Sequence, residues 1–182
     1  MLDKVTIWEA ARATSAATSF FDEIEINDEV FVDGATGANC PLSSLWTEAS
    51  HLYGERPTGV RAADFQWRLE DNLKCLVSIG TGKPSLKPFK DSLTGIGKSL
   101  VAIATDIESA IEAFKDHHPE LLSTGRFFRF NVSQGLEDVG LEDASRKQDI
   151  VAATRHYSQL IDVHKSLQAC AEALIAKQAK CT

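Results

Sequence analysis

The stretch at residues 31–41, Phe-Val-Asp-Gly-Ala-Thr-Gly-Ala-Asn-Cys-Pro, constrains the fold more than any other part of the chain. Its two leading apolar residues predict the end of a short buried strand, which the Asp33-Gly34 pair then breaks. Pro41 stands where a helix takes its first residue. The pattern therefore presents a carboxylate at a strand end, where Gly34 and Ala35 are small enough for a substrate or a second backbone to approach Asp33.

Two interpretations of Asp33 follow from this pattern. It is either a catalytic carboxylate facing a cleft or part of an ordinary turn that ends a strand. Asp-Gly pairs are frequent in turns, so the residues alone favour the turn.

The rest of the chain predicts an α/β fold. Apolar residues recur at helical spacing in several segments, and compact apolar or alternating runs predict strands, of which residues 74–79 resemble a strand buried in a parallel sheet. Helices are predicted at 5–17, 41–53, 99–114 and 149–177, and strands at 23–26, 74–79 and 127–132. The last helix has an apolar stripe that either packs on the core or binds a protein partner.

Charge and composition narrow the classes of function. The chain of 182 residues has 26 acidic and 19 basic side chains and a net charge of −7, which argues against binding nucleic acid. No apolar run approaches the roughly 20 residues of a membrane span, and the first residues lack the pattern of a signal peptide. We therefore expect a cytoplasmic protein. Lys83, Lys87 and Lys90 form a modest basic spot that either touches lipid headgroups or is solvated.

Metal and cofactor binding are not predicted. The four cysteines form no Cys-x-x-Cys pair, and scattered cysteines suit a reducing compartment. His117 and His118 are adjacent, but we expect no carboxylate or cysteine partner for them nearby, so they are weak evidence for a metal site. Residues 80–83 do not complete a phosphate loop, because Val77 and Pro84 occupy positions where that motif needs glycine and serine or threonine.

An ordered set of short motifs resembles the second half of the patatin-like phospholipase domain and covers nearly the whole chain. In order, the motifs are Trp-Glu-Ala-Ala-Arg-Ala-Thr-Ser-Ala-Ala at 8–17, Phe-Phe at 20–21, Phe-Val-Asp-Gly at 31–34, Gly-Ala-Asn-Cys-Pro at 37–41 and Val-Ser-Ile-Gly-Thr-Gly at 77–82. Arg-Phe-Asn-Val at 129–132, Gly-Leu at 135–136 and Gly-Leu at 140–141 resemble the tail of fungal members. The proline usual near Thr18 is absent.

The resemblance implies a fold and an activity. Family members are serine acyl hydrolases with a Ser-Asp dyad in a three-layer α/β/α domain, and Asp33 falls on the aspartate of their Asp-Gly-Gly/Ala motif, here Asp33, Gly34 and Ala35. It implies a lipid ester or phospholipid as the substrate. Residues 1–135 would be the distal half of the domain, and residues 136–182 a helical extension.

The nucleophile of that family is missing from this sequence. It lies in a Gly-x-Ser-x-Gly elbow, and no two of the eleven glycines here are four positions apart. We therefore expect a truncated hydrolase. The nucleophilic serine from which Asp33 would accept a proton is not among these 182 residues, so we expect the chain alone to be inactive. Two alternatives stay open: a non-catalytic relative kept for binding, and an unrelated enzyme that uses Asp33 with His51 or His164.

Overall fold

The structure is a computed structural model that describes residues 5–17, 21–34, 38–56, 58–61, 64–83, 96–137, 139–140 and 143–176, with only the backbone described at 96–105. The architecture is mixed α/β. The helices are α1 (Ile7–Thr14), α2 (Leu42–Tyr53), α3 (Leu69–Asn72), α4 (Ile96–His117), α5 (Pro119–Ser123), α6 (Lys147–Gln159) and α7 (Ile161–Ile175), and the strands are β1 (Ile24–Ile26), β2 (Glu29–Phe31), β3 (Leu76–Ile79) and β4 (Phe127–Phe130). The chain divides into two compact units, residues 1–41 and 42–182.

In the first unit, β1 and β2 form an antiparallel hairpin in which Ile24 lies opposite Phe31. The two connecting residues, Asn27 and Asp28, have φ angles of 52° and 63°. Tight two-residue hairpin turns need this left-handed conformation, and asparagine and aspartate tolerate it because their side chains are short and polar. The predicted half-buried strand at 23–26 is confirmed, since Ile26 is buried and Glu25 is exposed.

The prediction of a buried strand before Asp33 is wrong. β2 ends at Phe31, Val30 within it is 59% exposed, and Val32 beyond it is 52% exposed. Within the described residues β2 pairs with β1 alone, so it is an edge strand. A pair of apolar residues carries too little periodicity to separate a core strand from such an edge.

Helix α1 begins at a capping box, which was not predicted. The backbone N–H of Glu9 donates to Thr6 Oγ1 at 3.4 Å, and the Glu9 carboxylate accepts from the Thr6 N–H at 2.8 Å and from the Thr6 hydroxyl at 2.6 Å. Hydrogen bonds from the Thr6 side chain and then from its backbone lower the pKa of Glu9. The cap fixes the start of the helix at Ile7 rather than at residue 5.

We expect Thr6→Ala to lower the free energy of unfolding by about 1 kcal/mol, because the change leaves a first-turn N–H without its acceptor. Thr6→Ser keeps the hydroxyl and is the matched control, with most of the stability retained. Urea unfolding followed by far-UV circular dichroism measures both variants. Equal losses in the two variants would contradict a role for the hydroxyl.

In the second unit, β3 and β4 lie side by side in parallel, with Leu76 opposite Phe127 and Ile79 opposite Phe130. Parallel neighbours need a long crossover, and α4 and α5 lie between them in the sequence. The predicted parallel pairing of the 74–79 segment is confirmed. The strand β3 is less buried than predicted: Ile79 is 78% exposed, and the other residues of β3 are half-buried.

The best-buried side chains of the second unit come from α4 and α5. Ile111 and Leu121 are each 1% exposed, and Phe114 is 4% exposed. The amphipathic helix predicted at 99–114 is confirmed and is longer, since α4 runs to His117. The predicted strand at 127–132 is also confirmed as β4, and the rings of Phe128 and Phe130 stack on one face with centroids 6.4 Å apart.

The prediction of one long helix at 149–177 is wrong. Two helices, α6 and α7, replace it, and they meet at Leu160, whose backbone is extended with φ −60° and ψ 134°. The segment contains no proline or glycine, so the sequence carries no local stop signal there. The break is explained by packing, since α7 contacts both α6 and β4 and buries Cys170. The predicted end at Lys177 lies outside the described residues.

Candidate functional site

Asp33 lies two residues beyond the end of β2 and is half-buried. Its backbone N–H donates to the carbonyl of Ala16 at 3.0 Å, and Ala16 is almost fully buried at the end of the α1 segment. This bond ties the end of the hairpin to the helix of the first unit. The strand end predicted to carry Asp33 is therefore observed, on a hairpin rather than on a buried sheet strand.

The small residues after Asp33 are only partly described. Gly34 is exposed, and among the described residues a Cβ placed on it would meet the Ala38 side chain, at an ordinary 3.6 Å. The Ala38 N–H donates to the Gly34 carbonyl at 2.6 Å, which closes the loop behind the aspartate. Ala35, the third residue of the predicted motif, lies outside the described residues.

A second polar cluster lies at the carboxyl ends of β3 and β4. Arg129 donates to Ser78 Oγ at 3.1 Å and to Glu108 Oε1 at 3.2 Å, and the Asn131 amide nitrogen donates to the same Glu108 oxygen at 3.3 Å. The carboxyl ends of parallel strands are where α/β proteins commonly bind ligands. Alternation of polar and apolar residues at 129–131 was the available signal, but Glu108 comes from a separate helix and was missed.

The same cluster shapes the turn that follows β3. The Gly82 N–H donates to Asn131 Oδ1 at 2.8 Å, and the Asn131 N–H donates to the Tyr157 hydroxyl at 3.2 Å. A Cβ on Gly80 would lie 2.4 Å from Asn131 Oδ1, so any larger residue there would have to displace the Asn131 side chain. Residues 80–83 leave the sheet as predicted. Hydrogen bonds from their backbone N–H groups to Phe130, Asn131 and Val132 hold this turn in place.

A third cluster joins His118, at the junction of α4 and α5, to two glutamates. One ligand atom from each of Glu70, His118 and Glu120 lies within 4.8 Å of the others. Carboxylate oxygens and imidazole nitrogens are ligands of divalent metal ions. The expectation that the paired histidines have no carboxylate partner nearby is wrong. Glu120 lies only two residues after His118 and was overlooked, whereas Glu70 is far away in the chain and reaches His118 only through the fold.

The two histidines considered as partners for Asp33 are surface residues. His51 lies in the last turn of α2, and His164 lies in the first half of α7, and both side chains are exposed. Exposed histidines lack the fixed geometry that general-base chemistry needs. The structure therefore gives no support to a second catalytic pair built on either of them.

Two cysteines meet between the sheet and α7. Burial raises the pKa of the Cys75 thiol first, and its hydrogen bond and charge interaction with Cys170 raise it further, whereas nearby Lys74 lowers it. Cys75 is half-buried and Cys170 is buried. The thiolate, which is the reactive form, is therefore scarce at neutral pH.

We expect Cys75 to react with iodoacetamide more slowly in the folded chain than in urea at pH 8. A raised folded-state pKa leaves less thiolate at this pH, and the difference shrinks as the pH rises towards that pKa. Mass spectrometry of tryptic peptides at timed intervals measures the modification of Cys75. Equal rates in folded and unfolded protein would contradict the contact with Cys170.

Known proteins similar to this chain are patatin-like phospholipases. Phospholipase A I of Arabidopsis thaliana is 29% identical over 130 residues, which is 70% of this chain and 9% of that protein. The calcium-independent phospholipase A2-gamma of Oryctolagus cuniculus is 26% identical over 150 residues, 78% of this chain and 16% of that protein. Patatin-like phospholipase 1 of Plasmodium falciparum is 26% identical over 173 residues, 86% of this chain and 24% of that protein.

The chain is therefore similar in sequence to patatin-like phospholipases. The likeness is of low identity and covers part of the chain, and it agrees with the family suggested by the ordered motifs. The chain spans 9% to 24% of the length of these three patatin-like relatives. No protein-family model matches the chain, and no solved structure matches it. Among the described residues, no helix is long and apolar enough to cross a bilayer.

Proposed function

We propose that this chain is the distal half of a patatin-like lipid acyl hydrolase, of phospholipase A type, and that Asp33 is the general base of its Ser-Asp dyad. The observation that carries the proposal is the position of Asp33, which is half-buried two residues beyond a strand end and is followed by the exposed Gly34. The names of the homologues support an ester of a fatty acid, such as a phospholipid, as the substrate. The motif of the base is Asp33, Gly34 and Ala35.

The chemistry of the proposed dyad is acyl transfer followed by hydrolysis. A serine hydroxyl attacks the ester carbonyl while its proton passes to the Asp33 carboxylate, and backbone N–H groups stabilise the negative charge on the carbonyl oxygen. The alcohol leaves with a proton, and water then releases the fatty acid from the acyl-serine. This chain supplies the proton acceptor. The serine and the oxyanion donors come from a segment outside these 182 residues.

The exposed apolar residues agree with a half domain. Leu45, Leu52 and Tyr53 on α2 are 57% to 69% exposed, and Ile79 at the end of β3 is 78% exposed. Surfaces of this kind are normally covered by neighbouring structure. We infer that residues 1–135 complete a three-layer α/β/α domain together with the nucleophile half and that residues 136–182 form its helical extension. A cytoplasmic enzyme that touches membrane surfaces fits this arrangement.

The transcript upstream of codon 1 tests this proposal. We expect an in-frame segment that encodes a glycine-rich loop and a Gly-x-Ser-x-Gly elbow, and the extended protein should release fatty acid from phospholipid vesicles. The serine-to-alanine variant of the elbow is the control and should be inactive. A stop codon in the reading frame directly upstream, with no such segment encoded, would overturn the half-domain proposal.

A non-catalytic binding role is the second candidate, and the surface of α7 favours it. Ile161, Leu174 and Ile175 are 59% to 79% exposed, which leaves an apolar strip available to a protein partner. This role predicts a purified chain that is folded, monodisperse and inert towards p-nitrophenyl esters. Aggregation of the isolated chain would count against it and favour the half domain.

A further inference from the structure

We propose that Glu70, His118 and Glu120 bind a divalent metal ion with the coordination preferences of Zn²⁺. The site goes beyond the proposed lipid hydrolysis and lies entirely within the second unit. It brings together the short helix α3, which carries Glu70, and the junction of α4 and α5, which carries His118 and Glu120. One imidazole and two carboxylates, with a water molecule in the fourth position, make a ligand set that Zn²⁺ accepts.

The distances are close to those of a zinc site. His118 Nδ1 lies 3.5 Å from Glu70 Oε1. In tetrahedral coordination, bonds of about 2.1 Å place neighbouring ligand atoms about 3.4 Å apart. All three ligand atoms lie within 4.8 Å of one another, so Glu120 needs only a small side-chain rotation to close the site. Because Glu120 is the most exposed of the three side chains, at 35%, that rotation is available to it.

The imidazole is held in place and its Nδ1 is unused. The His118 ring lies against Trp46, with centroids 4.4 Å apart, and against Phe114, at 4.5 Å. Its Nδ1 is shielded from solvent and has no hydrogen-bond partner among the described residues. The 3.5 Å contact to Glu70 is too long for a good hydrogen bond. A buried nitrogen without a partner is costly, and a metal ion would satisfy it.

The backbone around Glu70 is also fixed. Arg126 donates to the carbonyl of Glu70 and, at 3.0 Å, to the carbonyl of Leu73, so the residue that precedes β4 holds the end of α3. The Glu70 side chain is only 15% exposed. Two of the three ligands, Glu70 and His118, therefore sit on a pre-formed frame, which lowers the cost of ordering them on binding.

Arg68 competes with the metal ion for the same carboxylates. Its Nε lies 3.5 Å from Glu70 Oε2, and its Nη2 lies 3.2 Å from Glu120 Oε1. The Arg68 side chain is 59% exposed, so water screens these ion pairs and they contribute little to stability. Zn²⁺ displaces the guanidinium from the oxygens, and Arg68→Gln is expected to tighten metal binding.

The test is calorimetric titration of the full 182-residue chain with ZnCl₂ at pH 7.5 under reducing conditions. We expect one ion per chain and a higher melting temperature when zinc is present. His118→Ala should weaken binding at least about tenfold, a loss seen even for residues that only support metal ligands. Arg68→Gln should tighten it several-fold, and His117→Ala, a matched change at the exposed neighbouring residue, should leave it unchanged.

Cobalt spectroscopy separates this site from the cysteines. Co²⁺ bound by nitrogen and oxygen gives weak visible bands, whereas thiolate ligands add an intense sulfur-to-cobalt band in the near ultraviolet. We expect the first spectrum, lost in His118→Ala. An intense sulfur band, equal affinities of the His118→Ala and His117→Ala variants, or no binding at all would overturn the site. None of these results depends on ester hydrolysis, so the proposed function can fail or hold separately.

Discussion

Asp33→Asn is expected to reduce ester hydrolysis by about 10²-fold to 10⁴-fold in the extended protein that includes the nucleophile segment, because general bases contribute rate factors of this size. Asparagine has nearly the same shape as aspartate but cannot accept the serine proton at neutral pH. The loss should therefore fall on kcat, whereas KM changes little, since the substrate contacts remain.

The control for this change is Asp22→Asn, at an exposed acid of the same unit. It removes one negative charge from the same unit. Its kcat should stay within about twofold of the parent value, a change of less than about 0.5 kcal/mol in the activation free energy. Measurement of fatty acid release from mixed micelles at several substrate concentrations gives both constants. Full activity in Asp33→Asn would contradict the assigned base.

Leu121→Ala is expected to lower the free energy of unfolding by about 2–5 kcal/mol, the usual range when a fully buried leucine is truncated to alanine. Leu121 is 1% exposed in α5 and belongs to the best-buried group of the second unit. Since whole domains are stable by only about 5–15 kcal/mol, the variant should be close to unfolding at 37 °C.

Leu122→Ala is the matched control, because it makes the same change at the next residue, which is 44% exposed. Its cost should stay below about 1 kcal/mol, since little apolar surface leaves water when the protein folds there. Urea unfolding monitored by tryptophan fluorescence measures both variants. Equal costs at the two positions would contradict the packing of α5 on the core.

The sequence correctly predicted the helices and strands whose apolar patterns extend over many residues. The amphipathic helix at 99–114 repeats its apolar residues over several turns, and α4 confirms it. The parallel pairing of the 74–79 segment followed from a compact apolar run. Short or ambiguous patterns failed. The apolar pair at 31–32 belongs to an exposed hairpin edge, and Leu160 breaks a helix without any local signal, because tertiary packing decides its conformation.

The candidate sites also differ in how well the sequence alone predicts them. Asp33 was found from a local motif, since aspartate, glycine and a strand end lie together in the chain. The cluster of Glu70, His118 and Glu120 was missed. Glu120, two residues after His118, was overlooked, and Glu70 joins the pair only through the fold, which no local pattern records. The network around Arg129 was missed for the same reason, since Glu108 approaches it from a helix.

The rate of ester hydrolysis by the purified 182-residue chain alone tests the central claim most directly. The chain should first show cooperative unfolding, so that a negative result reports chemistry rather than misfolding. We predict the same background rate for the parent chain and for Asp33→Ala. The chain lacks the Gly-x-Ser-x-Gly elbow, so Asp33 has no nucleophilic serine from which to accept a proton. Turnover well above background that Asp33→Ala abolishes would contradict the account and place a nucleophile within these residues.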